Sequence, residues 1–177
     1  MRHFLKRFMP NHEAIRSNRW FAPFAGTLLH PSLWHLNRRS AAGAVAAGLF
    51  CGLIPGPLQM LGAAICAVVF RINLPLALAL TLYTNPLTIV PLYLLAYELG
   101  KLTLGAENGG FSAPPEMSAG LSSWIGALID WMAGLGAPLA LGLLLLASLL
   151  ASIGYITTRV VWRIHLVRAW RRRKSVR

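Results

Sequence analysis

Two short elements decide the fold of this chain: Gly52-Leu53-Ile54-Pro55-Gly56-Pro57-Leu58-Gln59, and Tyr83-Thr84-Asn85-Pro86-Leu87-Thr88-Ile89-Val90-Pro91. The first separates the apolar runs 41–54 and 57–70, and the second separates 74–84 from 86–104. The runs flanking the first element are each shorter than the roughly 20 residues an untilted helix needs to cross a bilayer core. Proline lacks an N–H and its ring clashes with the preceding helical turn, so both elements leave backbone polar groups needing partners that lipid cannot supply. The pattern predicts two broken or re-entrant helical elements, with helix breaks at Pro55, Gly56, Pro57, Pro86 and Pro91.

The rest of the chain gives these breaks a setting. Of 177 residues 56% are hydrophobic and 12% charged, more apolar surface than a soluble domain of this size could hide. The net charge of +12 would suit a nucleic-acid partner, but its placement argues otherwise. Seven of the 17 Lys and Arg fall in residues 1–39 and eight in 159–177, leaving Arg71 and Lys101 between. Basic ends around an apolar middle read as cytoplasmic flanks of membrane segments, and no nucleic acid is expected. The fold class is therefore all-α, an integral membrane helical bundle, multi-pass, with cytoplasmic N- and C-termini and no cleaved signal peptide.

Five segments follow. Residues 1–39 form a basic cytoplasmic and interfacial arm, and 40–104 the paired broken-helix core, with Ser40 as the expected N-cap. Residues 105–136 comprise a Gly-, Pro- and Ser-rich stretch without Lys or Arg, read as a non-cytoplasmic loop, and an interfacial helix. Residues 137–158 form a transmembrane helix and 159–177 a basic cytoplasmic tail. Two arrangements of 40–104 keep Arg71 cytoplasmic: a re-entrant hairpin over 41–70 before one long broken span, or two short crossings over the same residues.

Gly48, Gly52 and Gly56 recur every four residues, a ridge for close helix packing, and a second small-residue ridge (Ala147, Ser148, Ala151, Ser152) predicts a homo-oligomer. Gln59 lies beside the first break, and Asn85 and Thr88 beside the second. Such polar side chains either cap backbone groups orphaned by the prolines or build a site at membrane depth for an anionic group. Arg71 is either a phosphate clamp or an interface anchor. Glu98 and Lys101 form an i,i+3 pair, and Tyr93 and Tyr97 read as belt aromatics. Cys51 and Cys66 read as buried small residues. No nucleophile elbow, phosphate-binding loop or metal-ligand spacing occurs, so the chain reads as a non-enzyme without metal or cofactor.

From Pro31 to Gly105 the sequence resembles a bacterial membrane family, domain of unknown function 2062. The resemblance is carried by Pro31 and Trp34 before Arg38-Arg39-Ser40, Gly43 and Gly48, GLIPGPLQ at 52–59, Arg71-Ile72-Asn73-Leu74-Pro75, TNPLTIVPLY at 84–93, and Tyr97-Glu98-Leu99-Gly100. It implies an inner-membrane setting and supplies no activity. Three functions are weighed: binding or translocation of an anionic lipid or lipid-linked phosphate through Gln59, Arg71, Asn85 and Thr88; a scaffold packing through the glycine ridge; and a lipid-modifying enzyme using Glu98 or Asp130 as base.

Overall fold

The computed structural model describes residues 30–56, 58–85, 87–105, 111–112, 115 and 121–174, and among these every regular element is a helix. After the short α1 (Pro31–Trp34) come α2 (Arg38–Cys51), α3 (Leu58–Phe70), α4 (Leu74–Thr81), α5 (Ile89–Leu104) and α6 (Leu121–Lys174). The cap of α2 is Asn37, not Ser40: its Oδ1 accepts from the backbone N–H of Arg39 (3.0 Å) and Ser40 (2.8 Å). An Asx side chain three residues ahead of Ser40 reaches the orphan donors first, and Ser40 becomes part of the first turn. The Ser40 hydroxyl is buried and has no hydrogen-bond partner among the described residues. Asn73 caps α4 the same way, accepting from Leu76 N–H at 2.9 Å.

Between α3 and α4 the chain reverses through Arg71, the one non-glycine residue with positive φ (51°) among those described. Ile72 N–H bonds Ala67 O at 3.0 Å and Arg71 N–H bonds Val68 O at 3.3 Å, the paired bonds of a Schellman ending with arginine where glycine is usual. The break after α2 turns at Gly56 (φ 71°), where a side chain would be strained. Gly56 is therefore a turn residue, not the third step of a helical ridge. Pro91 breaks nothing: it sits in the first turn of α5, where the backbone N–H has no helical partner to lose. Pro57 and Pro86 lie outside the described residues, as do the arm 1–29 and most of the loop 105–120.

Helix directions follow from which residues meet. A Cβ on Gly43 would meet Ile72, one on Gly48 would meet Ala77 O and Leu80, and one on Gly52 would meet Tyr83, so α2 and α4 run parallel. The helix between them, α3, returns antiparallel, with Cys66 Sγ 3.9 Å from Cys51 Sγ and both thiols free. Gly136 (φ 63°, ψ −152°) divides α6 into two arms at the boundary expected between 135 and 137. The first arm runs alongside α5 in the same direction: Trp131 stacks on Tyr93, and Leu135 clusters with Tyr97. The second arm runs back along α5 and then α2. Gly142 meets Ala96 and Gly100, Leu146 and Ala147 cluster with Leu53 and Tyr93, and Gly154 meets Leu49 and Val45. Arg159 ends this ladder, facing Arg38 and Arg39 across a shared concavity.

The basic tail read at 159–177 is helical as far as Lys174, a continuation of the span before it. Ile129–Arg168 holds the one stretch among the described residues long and apolar enough to cross a membrane, and only 22% of its most apolar window is buried. Apolar exposure extends to the other helices, with Leu58, Leu61, Ile65 and Val69 forming one outward face of α3. A helix this apolar and this little covered within the chain supports membrane association.

Candidate functional site

Both breaks end at the same level of the bundle, and hydroxyl groups join them. The end of α2 leaves carbonyls without helical partners. Three of these, at Leu49, Gly52 and Leu53, accept hydrogen bonds from Tyr83 Oη (2.8 Å), Thr84 Oγ1 (2.6 Å) and Tyr93 Oη (2.8 Å). The second sequence element, with Tyr93 just beyond it, thus supplies the donors that the end of α2 needs. Tyr93 is 1% exposed, so it is a core hydroxyl and not a belt aromatic, and Tyr97 is buried too.

Gln59, from the first turn of α3, meets the buried Thr84 at 2.7 Å. Thr84 has one proton for three acceptors within reach: the Gly52 carbonyl (2.6 Å), Gln59 Oε1 (2.7 Å) and the Thr81 carbonyl (3.0 Å). The second break is closed locally. Asn85 Oδ1 accepts from the N–H of Leu87 (2.9 Å) and Thr88 (3.1 Å), while Thr88 Oγ1 accepts from Asn85 N–H (2.9 Å) and donates to Tyr83 O (2.6 Å). Asn85 itself is exposed at this level.

The structure therefore brings Gln59, Asn85 and Thr88 into one polar seam and leaves Arg71 apart. Gln59 stands at one end of α3 and Arg71 just past the other, about 18 Å away along the helix. One phosphate cannot be held by both. Gly48 and Gly52 do pack as a ridge, against α4 and Tyr83.

Reading the sequence missed the seam's other participants. Tyr83 and Thr84 stand in the second element but were not singled out, because hydroxyl pairings across 32 to 40 positions leave no periodic trace. Also missed was the aromatic cap over the seam. Phe111 packs between Tyr97 and Trp131, with centroids 5.9 and 6.2 Å away. Trp131 Nε1 donates to Ser112 O (3.0 Å) and Trp124 Nε1 to Pro115 O (3.0 Å). Trp124 also reaches the Gly56 turn, so Trp124 and Trp131 place Pro115 and Phe111-Ser112 on the side of the bundle where the seam lies. Among the described residues no group of His, Cys, Asp or Glu is placed to hold a metal.

Comparison with known proteins adds one finding. Neither a curated protein nor a solved structure matches the chain. The family described as "Uncharacterized protein conserved in bacteria (DUF2062)" matches residues 21–171, which extends past the 31–105 resemblance to take in the loop, both arms of α6 and the start of the basic tail. A match over so much of the chain, including both proline elements and the hydroxyls between them, establishes that this protein belongs to the DUF2062 family.

Proposed function

We propose that this chain is a multi-pass protein of the bacterial inner membrane, with both ends cytoplasmic, whose joined breaks bind an anionic lipid or lipid-linked phosphate that is moved or sensed at mid-depth. The observation that carries this reading is the level of the seam. From Pro138 to Arg159 the second arm of α6 rises about 32 Å, close to the roughly 30 Å of a bilayer core. Leu146 and Ala147, which pack with Leu53 and Tyr93, lie about 13 Å from one end and about 19 Å from the other. Polar groups at that depth are costly and are kept for packing or for a ligand.

The same landmarks favour the re-entrant arrangement over two short crossings. In it, α2 and α3 enter from the arginine end, turn at the seam and leave again; α4 enters once more, and α5 carries the chain to the far side. Gln59, Asn85 and Thr88 are then the ligand's hydrogen-bond partners, and Arg71 is an interface anchor.

A scaffold reading is favoured by a different observation: Gln59, Asn85 and Thr88 each already bond within the chain. Lipid content separates the two. The protein is purified gently and its co-purifying lipids identified by mass spectrometry, comparing wild type with Gln59→Leu and Asn85→Leu at matched thermal stability. Selective enrichment of one anionic lipid, reduced in both variants, is the expected result. Identical bulk lipid in all three samples would favour the scaffold.

A further inference from the structure

The geometry points to a second, unassigned site: an anionic phospholipid bound with its phosphate on Arg38, Arg39 and Arg159 and one acyl chain in the groove between α2 and the second arm of α6. The inference rests on the membrane reading above and supplies the route by which a lipid would reach the seam.

Three guanidinium-bearing residues line one concavity of about 410 Å³ together with Tyr155. Topology explains why arginines flank the membrane segments, but not why residues about 120 positions apart converge on one cavity. Their surroundings make the gathering unfavourable without an anion. Arg38 and Arg39 occupy the first turn of α2, the positive end of its dipole, with no acidic residue there to offset them. Among the described residues no carboxylate lines the concavity. Arg159 is held in place: its Nη1 donates to Tyr155 Oη at 3.2 Å, and its guanidinium sits 5.5 Å from that ring's centroid. One donor spent this way leaves the rest of the fork for a phosphate, which guanidinium groups bind through paired hydrogen bonds.

Below the arginines the cavity changes character. Arg39 and Tyr155 also line an adjoining groove of about 510 Å³ that is hollow because Gly43, Ala46, Ala47 and Ala151 are small, and whose sides include Phe50 and Phe70. Arg39, Gly43, Ala46, Ala47 and Phe50 share one face of α2 and span about 16 Å, the depth of one leaflet's hydrocarbon (about 15 Å). A charged mouth over an apolar trough one leaflet deep matches a lipid, and neither a free phosphate nor a neutral amphiphile would use both parts. The trough ends at Phe50, in the last turn of α2, where the seam begins at the Leu49 carbonyl.

The test uses full-length protein in detergent micelles and tryptophan-to-pyrene energy transfer from pyrene-labelled phosphatidylglycerol. Wild type is expected to bind it at least about tenfold more tightly than pyrene-labelled phosphatidylcholine, with no displacement by free glycerol phosphate. Arg39→Gln with Arg159→Gln, both exposed positions, should weaken phosphatidylglycerol binding about tenfold or more, and Arg39→Lys with Arg159→Lys should lose less. Ala46→Phe, or Ala151→Leu if the first does not fold, should weaken it comparably by filling the groove. Unchanged binding in the glutamine pair, equal binding of phosphatidylcholine, or displacement by glycerol phosphate would overturn the site. Gln59→Leu separates this site from the mid-depth one. Binding kept in Gln59→Leu and lost in the arginine pair supports the mouth, and the reverse pattern overturns it while leaving the seam site standing.

Discussion

Gly142→Ala is expected to destabilise the folded chain by about 3 kcal/mol or more, a large effect for one methyl group. Gly142 and Gly100 form a reciprocal crossing in which α5 and the second arm of α6 touch backbone to backbone. A Cβ at Gly142 would overlap the Ala96 carbonyl, and one at Gly100 would overlap the carbonyl of Pro138. Neither obstacle is a side chain that can turn away, so the helices must part. Parting them loosens Tyr97, Leu135 and Leu139, which pack beside the crossing. Gly134→Ala is the control: among the described residues nothing lies within 4 Å of its would-be Cβ, and helix propensity alone should make it neutral or stabilising by about 0.5–1 kcal/mol. Thermal unfolding in detergent, followed by helical circular dichroism, compares them. Equal midpoints for the two variants would refute the backbone contact.

Thr84→Val is the second large effect, expected at about 2–4 kcal/mol. Valine keeps the shape of threonine and removes only the hydroxyl. The Gly52 carbonyl then loses its 2.6 Å donor, and the Gln59 amide loses its partner, both where water is scarce. An orphaned buried polar group costs about 1–3 kcal/mol, more than the net worth of the bond that satisfied it. Thr84→Ser should retain most of the stability. Wild-type stability in Thr84→Val would mean that the seam does not depend on this hydroxyl.

These two positions also mark what the sequence could and could not convey. Helix limits were legible because proline and glycine punctuate them: the runs read at 57–70 and 74–84 became Leu58–Phe70 and Leu74–Thr81, and the division at 136 falls on a positive-φ glycine. The Gly48–Gly52 ridge was legible because Gly48 lies on α2 and Gly52 caps it, one helical turn apart. Gly100 and Gly142 were not, since each is a lone glycine until α5 and α6 are laid together. The apolar pattern points to Ser40 rather than Asn37 because the apolar run begins after Ser40 while helical backbone begins earlier, at Arg38. Most of the candidate site was visible as two elements rich in proline and hydroxyl groups. That one element's hydroxyls answer the other's carbonyls is a property of tertiary pairing. The convergence of Arg38 and Arg39 with Arg159 is likewise invisible along the chain, where charge counting sees only two basic ends.

The central claim, that the first break turns back at mid-depth, is tested most directly by the accessibility of position 58. In a Cys51→Ala, Cys66→Ala background, single cysteines at Leu58, Arg71 and Glu107 are exposed to a membrane-impermeant maleimide in spheroplasts and in inverted vesicles, with labelling in detergent as the control for reactivity. The re-entrant arrangement requires Arg71→Cys to label only from the cytoplasmic face, Glu107→Cys only from the outer face, and Leu58→Cys from neither until the membrane is dissolved. Labelling of Leu58→Cys from the outer face as readily as Glu107→Cys would mean that α2 and α3 each cross the membrane, and would contradict the account.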